Sequence, residues 1–108
     1  MPFNVRTIPE FERSFKKLWK KYPSLKADLA KLISVLEHNP LIGTSLGNDF
    51  YKIRIIIASK GKGKSGGGRI ITCVQIIQNT VYLANIYDKS DKATITDTEL
   101  KLLAKQIK

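Results

Sequence analysis

Two cations alternate with isoleucines along one short stretch, a spacing typical of a strand that presents charge on one face. Ile53, Ile55 and Ile57 fall on one side of an extended chain. Lys52 and Arg54 fall on the other side, so both share the open face if the isoleucines face a core. An isolated pair of surface cations is usually only solvated, so the neighbouring residues decide whether this pair is functional.

The neighbouring segment favours a functional interpretation, because it is strongly basic and carries no compensating acid. No Asp or Glu occurs between residues 51 and 87, and four more cations follow the first pair by position 69: Lys60, Lys62, Lys64 and Arg69. Like charges repel, so a chain that keeps them together is typical of a surface that binds a polyanion. A loop whose lysines serve only solubility is the competing interpretation.

The glycine-rich part of this segment invites comparison with a phosphate-binding P-loop. Gly63-Lys64-Ser65 follows a predicted strand, as the motif requires. However, Ala58 occupies the position of the first motif glycine, and a β-rich run rather than a helix follows the loop. The sequence therefore disfavours nucleotide hydrolysis.

The residue types that most often bind metals or act as nucleophiles are scarce. His38 ends a predicted helix, where an imidazole interacts favourably with the helix dipole, and a single histidine makes neither a metal site nor an acid–base pair. Cys73 is the only cysteine, so no intramolecular disulfide can form, and in mid-strand it is predicted to be an apolar filler. We therefore expect no metal and no cofactor.

Composition indicates one globular domain with a polyanionic partner. The chain has 108 residues, 43% of them hydrophobic, and carries a formal net charge of +10 with a pI near 9.9. No apolar run suits a signal peptide or a membrane span, and a single cysteine fits a reducing compartment. We expect a single domain over residues 1–108 in the cytoplasm, with no membrane partner.

Two helices are predicted before the sheet. A capping box at Thr7 and Glu10 opens the first helix, which ends at Tyr22-Pro23. Ser24 is predicted to cap the second helix, which stops at Asn39-Pro40. Their apolar residues recur at helical spacing and are predicted to form core: Phe11, Phe15, Leu18, Trp19 and Tyr22 in the first, and Leu25, Leu29, Leu32, Ile33 and Leu36 in the second.

The remaining elements form a small sheet and a last helix. The predicted strands are Phe3 to Val5, Phe50 to Ala58, Arg69 to Gln78 and Val81 to Tyr87. Residues 41–49 are predicted to be a loop, residues 79–80 a hairpin turn, and residues 96–99 a capping box that opens the C-terminal helix. The order β-α-α-β-β-β-α predicts an α+β fold, in which a helical hairpin packs on one face of a small antiparallel sheet.

These features together resemble the RelE/ParE superfamily of bacterial toxins. The resemblance covers nearly the whole chain and is carried by three stretches: residues 51–54, the KGKGKSGGGRII run at residues 60–71, and residues 81–91. The glycine/lysine loop before an arginine-led strand is most similar to the RelE and HigB branch. Members of that branch cleave messenger RNA in the ribosomal A site, and a cognate antitoxin silences them.

The resemblance also implies a set of site residues. It assigns the catalytic cluster to Lys52, Arg54 and Arg69, and it places Lys89 near a further basic residue at the end of the last strand. RelE carries a functional tyrosine in its C-terminal helix region, whereas residues 95–98 contain none, so Tyr87 is the candidate substitute. We add Lys64 as a catalytic candidate and predict three further RNA-binding lysines: Lys60, Lys62 and Lys92.

RNA cleavage without a metal suits these residue types. The 2′-hydroxyl attacks the adjacent phosphate if a base takes its proton, cations stabilise the phosphorane and an acid protonates the departing 5′-oxygen. A lysine among other cations loses its proton more readily, which makes Lys52 or Lys64 the predicted base. Arg54 and Arg69 are the predicted phosphate ligands.

Functions from three classes are compatible with the sequence. A ribosome-dependent endoribonuclease, with messenger RNA, 16S ribosomal RNA and an antitoxin as partners, is favoured because the clustered cationic face suits it. A ParE-like inhibitor of DNA gyrase would not need that cluster. A nucleic-acid-binding module without catalysis would need the charge but not the chemistry.

Overall fold

The predicted helices and central strands are all present, in the order of an α+β fold. The computed structural model describes residues 2–60 and 67–107. Its helices and strands, in chain order, are β1 (Asn4–Thr7), α1 (Pro9–Lys21), α2 (Leu25–His38), β2 (Thr44–Gly47), β3 (Phe50–Ile55), β4 (Gly68–Gln75), β5 (Thr80–Asp88) and α3 (Asp97–Ile107). The predicted order is confirmed, with β2 as an addition.

One mixed sheet holds all of the described strands, in the order β1-β5-β4-β3-β2. The antiparallel pairing of β3 with β4 and of β4 with β5 is the predicted meander. Strand β1 pairs in parallel with β5 and forms one edge. Strand β4 is therefore central, and its residues have a paired strand on both sides.

Strand β2 lies in a region that was predicted to be a loop, and that prediction was wrong. Thr44 and Ser45 pair with Lys52 and Tyr51, and Gly47 pairs with Phe50. The connection consists of Asn48 and Asp49, whose φ angles are 51° and 70°. Asn and Asp tolerate this left-handed conformation better than other side chains, so these two residues can close a tight hairpin without glycine.

The start of α1 also differs from the prediction. Thr7 ends β1 rather than capping the helix, and the N-cap position is occupied by Ile8, which has no capping side chain. The Thr7 hydroxyl donates instead to Glu12 Oε2 at 2.5 Å. The parallel pairing of Thr7 with Leu83 explains the difference. Thr7 belongs to the β1–β5 ladder and therefore does not occupy the N-cap position of α1.

The core lies between the helical hairpin and one face of the sheet. Buried side chains from both layers meet there, among them Phe11, Leu18, Leu25, Leu36, Ile53, Ile70, Val81, Leu83 and Ile86. On the opposite face, Phe50 pairs across the strands with Cys73. Both line a cavity of about 360 Å³ together with residues of α3, among them Leu100, Ala104 and Ile107. Helix α3 therefore covers one end of the face that carries Lys52 and Arg54.

No described helix is both long enough and apolar enough to cross a membrane.

Candidate active site

The site is built on a row of three side chains that cross the middle of the sheet. Arg54 on β3 pairs with Arg69 on β4, and Arg69 pairs with Tyr87 on β5. Residues directly opposite each other on neighbouring strands point to the same face, with Cβ atoms about 5 Å apart. We call Arg54, Arg69 and Tyr87 the arginine row.

Burial confirms which face carries the arginine row. The next row along the strands consists of Ile53, Ile70 and Ile86, each at most 5% exposed against the helical hairpin. Because side chains alternate, the arginine row points away from that hairpin. Lys52 lies two residues before Arg54 and shares its face, and it is half-buried.

The two arginines differ in how they are held. Arg54 is exposed and has no ion-pair or hydrogen-bond partner among residues 2–60 and 67–107. Arg69 is half-buried, and its Nη1 donates to the carbonyl oxygen of Gly68 at 3.0 Å. Placing two guanidinium groups side by side is unfavourable by itself, and an anion between them would relieve the repulsion.

Tyr87 is the third member of the arginine row, and its phenol is buried. Its side chain is 8% exposed, and its hydroxyl makes no hydrogen bond of normal geometry within the described part of the chain. Burial raises the pKa of this phenol, which the Arg69 charge and the neighbouring Thr94 partly oppose. The tyrosine therefore keeps its proton near neutral pH.

Lys92 covers the ring of Tyr87 rather than extending into solvent. Its Nζ lies 5.4 Å from the ring centroid, a cation–π arrangement, and it forms an ion pair with Glu99 in the first turn of α3. The hydrogen bond from Lys92 lowers the pKa of the Glu99 carboxyl, and the backbone N–H of Thr96 adds to this effect. Lys92 thus connects the start of α3 to the arginine row.

Lys60 lies apart from the arginine row in a buried ion pair. Its Nζ donates to Asp88 Oδ1 at 2.7 Å, and the Lys60 side chain is only 18% exposed. Asp88 follows Tyr87 in β5 and therefore points to the helical-hairpin side. The structure thus does not bring Lys60 together with Arg54 and Arg69.

Three more lysines were predicted as site residues: Lys62, Lys64 and Lys89. Lys89 directly follows β5, and its backbone N–H donates to the carbonyl oxygen of Gly67 at 3.2 Å. Lys62 and Lys64 lie outside the described residues. Over the ranges 2–60 and 67–107, no group of three or more His, Cys, Asp or Glu side chains is arranged to hold a metal ion.

Sequence reasoning missed the pairing of Asp88 with Tyr22, because the last strand was predicted to end at Tyr87 and Tyr22 was predicted only as a core residue. The Tyr22 hydroxyl donates to Asp88 Oδ2 at 2.6 Å. Burial by itself raises the pKa of Asp88, but hydrogen bonds from Lys60, Tyr22 and Ser90 outweigh it and hold that pKa well below its usual range. Strand alternation was the available signal, since it places Asp88 in register with the core residue Ile86.

Comparisons with known proteins are consistent with the fold. Residues 11–108 match the family model described as the RelE toxin of the RelE/RelB toxin–antitoxin system. Among solved structures, the chain is similar to a double arginine-to-alanine mutant of the E. coli toxin RelE in the free state. The identity is 20%, the TM-score is 0.61, and the alignment covers 100% of both chains. At this identity the structural similarity supports the fold.

Proposed function

Because the chain belongs to the RelE family of toxins from toxin–antitoxin systems, we propose that it is an endoribonuclease that cleaves messenger RNA in the ribosomal A site. The observation that carries the proposal is the arginine row. It places two arginines directly opposite each other, beside a buried phenol, on the face of the sheet that points away from the helical hairpin. Two arginines in this arrangement can stabilise the negative charge that a phosphate gains during the reaction.

The proposed reaction is an attack by the 2′-hydroxyl of RNA on the adjacent phosphorus atom. A base takes the 2′-hydroxyl proton while the 2′-oxygen bonds to phosphorus. The bond from phosphorus to the 5′-oxygen then breaks, and that oxygen receives a proton. The products are a 2′,3′-cyclic phosphate and a free 5′-hydroxyl. Arg54 and Arg69 stabilise the phosphorane between these steps, because guanidinium groups donate in pairs to phosphate oxygens.

Proton transfer is assigned to the neighbours of the arginines. Tyr87 is the proposed acid for the departing 5′-oxygen, because a phenol carries its proton at neutral pH and this one lies next to Arg69 in the arginine row. Lys52, on the same face, or Lys64 is the proposed base. Lys89 and Lys92 flank the same end of the sheet and are proposed to contact the RNA backbone, as is Lys62.

Dependence on the ribosome follows from the residue types. Among residues 2–60 and 67–107, no His–carboxylate pair lies on the open face to act as an efficient acid–base couple, so substrate positioning has to supply much of the rate. The ribosome would hold the messenger in an extended, reactive geometry beside 16S ribosomal RNA. A cognate antitoxin is the partner that family membership implies, and an acidic segment of it would complement the net charge of +10.

Arg69→Ala tests this proposal in a reporter-messenger cleavage assay with programmed ribosomes. Removing the central phosphate ligand is expected to lower kcat by about 100-fold or more, as the loss of one preorganised donor does at oxyanion sites. Arg13→Ala is the matched control, because it removes the same charge from an exposed position on α1. We expect it to cleave like the wild type.

Two outcomes would contradict the proposal. Undiminished cutting by Arg69→Ala would remove the arginine row from the chemistry. Growth arrest with intact messages and damaged DNA would instead indicate a gyrase inhibitor.

A further inference from the structure

Asp88 is the one charged residue that is buried within the described part of the chain, and the proposed chemistry does not use it. Its side chain has no accessible surface, whereas the Lys60 side chain paired with it is 18% exposed. A buried charge is unfavourable unless hydrogen bonds satisfy it. Asp88 ends β5 between Tyr87, a member of the arginine row, and Lys89.

The Asp88 carboxylate is satisfied from several elements at once. Oδ1 accepts from Lys60 Nζ at 2.7 Å and from both the backbone N–H and the hydroxyl of Ser90, at 2.9 and 2.7 Å. Oδ2 accepts from the Tyr22 hydroxyl at 2.6 Å. Oδ2 therefore binds Tyr22 at the end of α1, and Oδ1 binds Lys60 and Ser90.

Lys60 extends this network to the head of β4. Besides the carboxylate, its Nζ donates to the carbonyl oxygen of Gly67 at 3.3 Å. The same carbonyl accepts from the backbone N–H of Lys89 at 3.2 Å. Gly67 has a φ of +57°, and a Cβ there would lie 2.6 Å from the carbonyl oxygen of Ile55. The chain can approach this closely only with glycine at that position.

These contacts join two points that lie beside the arginine row. Gly67 precedes Gly68 and Arg69, and Gly68 pairs with both Ile55 and Asp88 as the last rung of the ladder. Tyr87 and Lys89 flank Asp88 on the other strand. The ends of ladders are the least stable part of a sheet, so a buried ion pair at this rung restrains the adjacent arginine.

We propose that Asp88 and Lys60 are positioning residues that hold the head of β4 against the end of β5 and so fix Arg69 relative to Tyr87. The inference rests on the proposed endoribonuclease function and deepens it. Lys60 thereby acts through Asp88 and Gly67 instead of touching RNA. A displacement of about 1 Å among reacting groups can cost about 100-fold in rate, which is why such a restraint matters to catalysis.

Lys60→Met tests the proposal, with Tyr22→Phe as the matched control. Both variants remove one hydrogen bond to the same carboxylate, but only Lys60→Met also removes the paired positive charge and releases the Gly67 carbonyl. Single-turnover cleavage at saturating ribosome concentration is expected to fall about 10- to 100-fold in Lys60→Met, with the KM for programmed ribosomes changed less than about twofold. Tyr22→Phe is expected to lose stability yet cleave like the wild type, and Lys60→Arg to recover most of the rate.

A second measurement keeps the test independent of activity. Amide hydrogen exchange at Lys89 is expected to speed up at least tenfold in Lys60→Met relative to Tyr22→Phe, because the Gly67 carbonyl that the Lys89 amide binds is released. If Lys60→Met does not fold, Lys60→Gln, which keeps a shorter donor, is measured instead. A wild type that does not cut would refute the proposed function alone, and unchanged exchange at Lys89 would refute the positioning role alone. Equal losses of cleavage in Lys60→Met and Tyr22→Phe would also overturn it.

Discussion

At the residue scale, the arginine row contains a pair of like charges, Arg54 and Arg69, that the fold tolerates. Directly opposed cations on neighbouring strands are destabilising, and Arg54 has no acidic partner among the described residues to offset the repulsion. By contrast, two lysines near the site are neutralised within the protein, Lys60 by Asp88 and Lys92 by Glu99. The exposed charge of Arg54 is therefore available to the proposed phosphate.

Tyr87→Phe should separate catalysis from stability. The buried hydroxyl lacks a well-formed hydrogen bond among the described residues, so its removal should leave the free energy of unfolding within about 0.5 kcal/mol of wild type. Cleavage should fall by about 100-fold or more, as the loss of a general acid does. Urea unfolding and single-turnover cleavage measure the two effects.

Tyr82→Phe is the matched control for that substitution. Tyr82 lies on the same strand, is half-buried, and donates to Gln78 at 3.3 Å, away from the arginine row. We expect it to retain full cleavage. Wild-type cleavage by Tyr87→Phe would leave the proton donor unassigned and remove Tyr87 from the mechanism.

At the scale of elements, the start of α3 is the best-formed local motif. The Thr96 hydroxyl accepts from the Glu99 backbone N–H at 3.1 Å, and the Glu99 carboxylate accepts from the Thr96 backbone N–H at 2.8 Å. This reciprocal pair is the capping box that the sequence predicts. Because Glu99 also binds Lys92 over the Tyr87 ring, the cap ties α3 to the site.

Thr96→Ala should therefore destabilise the protein by about 1 kcal/mol, the usual cost of losing an N-cap side chain. Thr98→Ala, an exposed position in the first turn of the same helix, is the control and should change stability by less than about 0.5 kcal/mol. Urea midpoints at constant slope give both values. Equal effects from the two substitutions would mean that the cap contributes nothing specific.

At the scale of the whole molecule, the Asp88 network links α1, the residues after β3, and the end of β5. Tyr22 comes from the end of α1, Lys60 follows β3, and Asp88 ends β5. The hydrogen bond to Asp88, followed by burial, raises the pKa of Tyr22 from 10.0 to about 12. A raised pKa of this kind makes global stability sensitive to alkaline pH.

Stability should accordingly fall between about pH 10 and pH 12 in the wild type. The contribution of protonated Tyr22 is complete below the pKa of the unfolded chain and is lost as pH rises through the folded value. Tyr22→Phe should be less stable than wild type at pH 7, and the difference should shrink as pH rises. Urea unfolding at pH 7, 9, 10 and 11 measures it. A difference that stays constant with pH would contradict the assignment.

The sequence by itself determined much of this protein. Periodicity identified the helical hairpin, the meander and the face of β3 that carries Lys52 and Arg54, because alternation and helical spacing are local properties. The RelE-like family was also recognisable from the basic loop and the strand motifs, and the family match over residues 11–108 confirms it. The capping box at Thr96 was predictable, since both partners lie within four residues.

Only the tertiary structure decided the rest, because it depends on pairings between residues distant in sequence. Register placed Arg54 opposite Arg69 and Arg69 opposite Tyr87, which no local pattern specifies. Parallel pairing of β1 with β5 places Thr7 in a strand, so Thr7 does not cap α1 as predicted. Lys60 and Asp88 are separated by 28 positions, and folding joined them into a buried pair that sets Lys60 apart from the exposed cations.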